Sequence, residues 1–212
     1  MEGIIQKYTE GEAPENVIEI DLEGWTSESI SREEKLLLEK YQSVDSLSFS
    51  GCGLKRLENF PLLEDLARLD LSENQIEKGL ENLKHLDGIM QISLENNKIT
   101  DIEEFKHLAG LANLMSLMVE GNPISQEENY REKLFKIIPS LQVIDGFNAS
   151  GEEVDFAEDD EDEEEFNDDS DEFDEDDLDD DEDDFGDDSE VSEVEEPKPR
   201  KKGAADQKGK KK

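Results

Sequence analysis

Between Glu152 and Glu196 the chain carries 31 Asp and Glu residues in 45 positions and no Lys or Arg. Carboxylates at that density hold cations, either metal ions or the ammonium and guanidinium groups of another protein. Four phenylalanines interrupt the run, each directly behind an acid: Asp155-Phe156, Glu164-Glu165-Phe166, Asp171-Glu172-Phe173 and Asp183-Asp184-Phe185. A ring placed behind acids can enter an apolar pocket while the carboxylates meet surrounding Lys and Arg. The plainer reading is apolar punctuation in a solvated segment.

Like charges at this spacing repel, and too few apolar side chains are present to offset chain entropy, so a disordered segment is expected. The whole-chain charge of −39 divides unevenly: −15 over residues 1–151, −31 over 152–196 and +7 over 197–212. Such asymmetry marks interaction tails. Nucleic acid and anionic membranes would be repelled, so no direct nucleic-acid partner and no membrane partner is expected. Cationic proteins are the natural counterparts, core histones foremost among them. That attraction speeds encounter and fades with salt, the Debye length being about 8 Å at physiological ionic strength.

Other chemistries find little support. There is no P-loop, GxGxxG or HExxH pattern, and no EF-hand spacing among the acids. His85 and His107 follow strands rather than flank a nucleophile, and are expected to be ordinary surface or boundary residues. No catalytic, cofactor-binding or metal-ligating residue is assigned, and no enzyme activity is expected. Cys52 is the single cysteine, which fits a reducing compartment. The N-terminus lacks a signal-peptide layout and no apolar run is long enough to span a bilayer, so a soluble intracellular protein is expected.

The elements ahead of the tail follow a repeat. The pattern L-x-x-L-x-L-x-x-N/C-x-L fits at Val44, Leu47, Phe49, Cys52 and Leu54, then from Leu66 to Ile76, from Ile89 to Ile99 and from Leu114 to Ile124. The starts lie 22, 23 and 25 residues apart, within the range of leucine-rich repeats. Weaker copies begin at Val17, with Trp25 at the Asn position, and at Leu141, as capping repeats do. The expected fold class is α/β: a leucine-rich repeat solenoid with a concave parallel sheet over residues 1–148. The disordered acidic tail then occupies 149–196 and a basic segment 197–212.

Strand alternation sends the leucines inward and the intervening residues to the concave face. That face should carry Glu19, Asp21, Glu23, Asp70, Glu95 and Glu120 among small polar residues, with Arg68 as its one base. It reads either as a solvated surface or as an acidic docking surface for a folded partner. The Asn of each repeat should bond to backbone groups at the turn, stacking into a ladder, with Cys52 as a structural thiol in the first full repeat. Helices are predicted over Ser31–Tyr41, where Ser31 and Glu34 form a capping box and Leu36, Leu37 and Tyr41 turn inward. A second is predicted over Tyr130–Ile138, stopped by Pro139. A third, at the N-terminus, would cover the first repeat with Ile4, Ile5 and Tyr8.

The end of the chain clusters Lys198, Arg200, Lys201, Lys202, Lys208, Lys210, Lys211 and Lys212. This suits nuclear import receptors, or a self-neutralising contact with the acids. Ser150 and Ser192 each have a Glu three residues on, an acidophilic-kinase context.

Four to five repeats, a cap reading NYREKLFKIIPSLQVIDG from Asn129 to Gly146, an acidic tail and a basic end together resemble the acidic leucine-rich nuclear phosphoprotein 32 family. Tyr130, Arg131, Phe135, Pro139, Leu141, Asp145 and Gly146 carry the most specific part of the match. The resemblance implies a non-enzymatic nuclear protein that shuttles to the cytoplasm. It implies a histone chaperone or chromatin regulator, alternatively an inhibitor of protein phosphatase 2A.

Overall fold

In a computed structural model, residues 1–154 are described. The four acid-Phe motifs and the basic cluster, from Asp155 to Lys212, lie outside the described residues.

The repeat period becomes a ladder of three-residue strands. These are β1 (Glu19–Asp21), β2 (Ser46–Ser48), β3 (Arg68–Asp70), β4 (Gln91–Ser93) and β5 (Ser116–Met118), followed by β6 (Val143–Ile144) and β7 (Phe147–Asn148). They form one sheet in sequence order, parallel from β1 to β6, with β7 antiparallel to β6. The register is unbroken: Ile20, Leu47, Leu69, Ile92, Leu117 and Ile144 are successive partners. All six are buried in one continuous core. In β1 to β5 strand alternation produces this, since the central residue of a three-residue strand points opposite to its two neighbours; in the two-residue β6 both Val143 and Ile144 are buried.

Behind the strands the Asn ladder forms. The amides of Asn74, Asn97 and Asn122 each accept from the backbone N–H of the preceding repeat, at Leu54 (2.8 Å), Ile76 (3.0 Å) and Ile99 (3.0 Å). Each also donates to carbonyls of its own and the preceding repeat, as Asn97 does to Leu94 (3.0 Å) and Leu71 (2.8 Å). These bonds satisfy backbone groups that the turn leaves buried without partners. The residue before each ladder position has positive φ: Gly24, Gly51, Glu73, Asn96 and Gly121. At Gly121 a Cβ would stand 2.2 Å from Asn96 Oδ1, so only glycine fits there. Cys52 takes the ladder place with weak contacts to Leu22 O (3.5 Å) and Ser50 O (3.6 Å). Burial pushes its thiol up to about 11, as expected of a structural cysteine.

Among the described residues three α-helices accompany the sheet: α1 (Glu2–Tyr8), α2 (Arg32–Leu38) and α3 (Tyr130–Ile137). The capping box of α2 is complete: Glu34 N–H donates to Ser31 Oγ (3.2 Å) and Ser31 N–H to Glu34 Oε2 (2.8 Å). Glu34 Oε1 also accepts from Trp25 Nε1 (3.0 Å), whose ring packs edge-on against Phe49. The capping residue therefore also fixes the tryptophan of the first repeat.

Two expectations about helix faces need correction. Leu36 is 57% exposed, and Leu38 is the residue that reaches the core with Tyr41. Two residues apart on a helix face different sides, and the box at Ser31 sets the phase that sends Leu38 inward. At the N-terminus Ile5 is buried and Ile4 half-buried, but Tyr8 is 44% exposed. Its ring lies beside Glu19 and Asp21, and burial, then those carboxylates, raise its phenol pKa.

Candidate functional site

The sheet face opposite the core is set by the same register that builds the core. Glu19, Ser46, Arg68, Gln91 and Ser116 are consecutive partners along one row. Asp21, Ser48, Asp70, Ser93 and Met118 form the next. Past the strands the ladder continues through Gly51 N–H to Ser72 O (3.1 Å), Glu73 N–H to Glu95 O (2.9 Å) and Asn96 N–H to Glu120 O (2.8 Å). These bonds align Ser72, Glu95 and Glu120 in a third row. The acids Glu19, Asp21, Asp70, Glu95 and Glu120 therefore share one face, and the turn after β1 sets Glu23 beside Asp21.

They do not all have the same freedom. Asp21 Oδ1 accepts from Glu23 N–H (2.9 Å) and Asp70 Oδ1 from Ser72 N–H (2.8 Å), so these two carboxylates also shape the turns after their strands. Glu95 is held differently. Burial raises its pKa, opposed by a hydrogen bond from Ser93, with Asp145, Glu120 and Asp70 adding to the rise. A carboxylate whose surroundings resist its ionisation gains most from a cation placed beside it. Next to it Met118, Asp70, Ser72 and Ser93 line a shallow cavity of about 280 Å³. The cavity thus offers apolar surface for an aliphatic stem and carboxylates for a charged head. Arg68 pairs with Asp45 (3.3 Å) at the edge of this surface.

Sequence patterning does not reveal how the last repeat closes this face. Asp145, in a left-handed conformation at φ 50°, has a side chain only 1% exposed. Its Oδ1 accepts from Val119 N–H (2.6 Å) and Glu120 N–H (3.0 Å), and its Oδ2 from the Tyr130 hydroxyl (2.8 Å). Arg131 Nε lies 3.7 Å away, and its guanidinium sits 4.5 Å over the Phe147 ring. Burial and the Asp145 hydrogen bond raise the Tyr130 phenol pKa. The carboxylate that ends the repeat array thereby orients the backbone carrying Glu120. The only signal for this role in the sequence is the cap run itself.

Of the other residues singled out, His85 Nε2 lies 3.1 Å from Pro61 O, and its ring stands near Phe60. Among the described residues no helix is long and apolar enough to cross a membrane. The acidic tail, with Asp155 to Phe185, and the cluster from Lys198 to Lys212 lie outside the described residues.

A leucine-rich repeat family model matches residues 4–182. The acidic leucine-rich nuclear phosphoprotein 32 family member A of Drosophila melanogaster is 39% identical over 144 residues, 68% of this chain and 54% of that protein. Acidic leucine-rich nuclear phosphoprotein 32-related protein 2 of Caenorhabditis elegans is 32% identical over 159 residues, 73% of this chain and 68% of that protein. Among solved structures, the crystal structure of the Drosophila melanogaster SNF/U2A′ complex aligns with a TM-score of 0.53 and 26% identity. That alignment covers 65% of this chain and 75% of the other. The matched region spans between 53% and 59% of the first curated relatives. On the cap, the repeats and these likenesses, the chain belongs to the acidic leucine-rich nuclear phosphoprotein 32 family.

Proposed function

We propose that this protein is a histone-binding chaperone of the nucleus, which shields basic histone surfaces with its acidic tail while the sheet face docks part of the same partner. The observation that carries the reading is charge: 31 acids and no base between Glu152 and Glu196, following a domain whose sheet face gathers five more carboxylates. A dense polyanion competes with nucleic acid for cationic protein, which is the task of a chaperone. Nuclear residence accords with the names of the relatives and with the basic run at Lys198–Lys202, which suits an import receptor; shuttling to the cytoplasm belongs to the same reading.

The test is a titration of refolded core-histone complexes against the full chain and against residues 1–154, at low and physiological salt. The expected result is tight binding by the full chain that survives physiological salt and weakens sharply without the tail. Binding that disappears at physiological salt would reduce the contact to unspecific charge pairing. Equal binding by residues 1–154 would move the recognition to the solenoid. Inhibition of protein phosphatase 2A by residues 1–154 alone would favour the enzyme-regulator alternative.

A further inference from the structure

We propose that Glu81, Glu104 and His107 form a binding site for a divalent transition metal of the zinc class, clasping two adjacent repeats. Glu81 lies in the 3-10 turn Leu80–Leu83, and Glu104 and His107 in the 3-10 helix Ile102–Leu108. These two segments pack against each other. Two regularities bring the three side chains together. Glu81 and Glu104 are 23 residues apart, the same spacing as Ile76 and Ile99, so they occupy one repeat position in successive turns of the solenoid and stack. In a 3-10 helix, side chains at i and i+3 eclipse, so His107 projects directly beside Glu104.

One ligand atom from each residue lies within 4.8 Å of the others. Two stacked carboxylates repel at such distances, yet neither Glu81 nor His107 has a hydrogen-bond or ion-pair partner among the described residues. Glu104 is the oriented member: its Oε2 accepts from Gly79 N–H (3.0 Å), which aims the carboxylate and leaves the other oxygen available. At zinc bond lengths of about 2.1 Å, tetrahedral ligand atoms stand about 3.4 Å apart, so small side-chain adjustments close the site. The imidazole separates this grouping from the carboxylates elsewhere on the chain, because it favours zinc-class ions over Ca²⁺ and Mg²⁺. Three protein ligands leave a fourth position for water. The inference is independent of histone binding.

The chain has two histidines, which makes the test direct. Zinc chloride is titrated into the isotope-labelled full chain while the ring nitrogens of both imidazoles are followed by nuclear magnetic resonance. The expected result is a shift of His107 complete near one equivalent, with His85 unmoved. Glu81→Gln should weaken that response about tenfold or more. Because Glu81 has no partner to lose, this variant keeps the fold intact and is the decisive one. Simultaneous movement of both imidazoles, the same response to Mg²⁺, or an unchanged response in Glu81→Gln would overturn the proposal and leave only diffuse attraction by the acids.

Discussion

At its N-terminal end the solenoid is closed by α1, seven residues that bury Ile5 and have no side-chain cap bond. At its C-terminal end a buried carboxylate, Asp145, gathers two backbone N–H groups, a phenol and a guanidinium. The first closure is an apolar plug, and its strength scales with area. The second is a polar network, and its strength depends on every member being present. Each sits at one end of the solenoid, but only the second also orients residues of the acidic face.

The comparison can be broken from either end. Asp145→Ala should have the largest effect, about 3 kcal/mol, because it takes the shared acceptor from two backbone N–H groups and from the Tyr130 hydroxyl. The denaturant midpoint should fall accordingly, with the loss concentrated near Tyr130 and Val119 in hydrogen exchange. Ile5→Ala should cost less, about 2 kcal/mol, since a terminal helix can settle into the space it leaves. Equal losses from the two variants would mean that both ends are held by packing alone.

Glu95→Gln sharpens the same contrast with the smallest effect. Its carboxyl pKa is raised in the folded protein, so the ionised form is disfavoured by folding. That penalty is absent while both states are protonated and complete above the folded pKa. Stability should therefore be unchanged or slightly greater than that of the parent at neutral pH, within about 0.5 kcal/mol. The difference should vanish as the pH falls to about 4. A clear loss at neutral pH would mean that the Glu95 carboxylate is held by an attractive partner.

Much of this was legible in the residue order. The 22- to 25-residue period placed the strands, the buried leucines and the concave rows, because one alternation rule governs them all. Ser31 and Glu34 marked the start of α2 because the capping box is a local signal. Leu36 was misplaced because three consecutive leucines carry no phase of their own; the cap supplies it. Tyr8 was misplaced because a seven-residue helix has little apolar periodicity to read. The grouping of Glu81, Glu104 and His107 and the role of Asp145 arise only when repeats stack, bringing together residues that share no motif. The tail is a different case: its composition states a charge and a partner class, but no pattern in it dictates a geometry.

Cys52 stands where the later repeats have Asn, so the boundary with the first repeat lacks the paired amide bonds that join the others. A solenoid held by nearest-neighbour contacts opens first at its weakest boundary. The thiol there is fully buried, is the only one in the chain, and is nearly all protonated at neutral pH. An alkylating reagent must therefore wait for that seam to part. The rate at which Cys52 is labelled becomes a clock for the opening of one repeat boundary, readable without adding any probe.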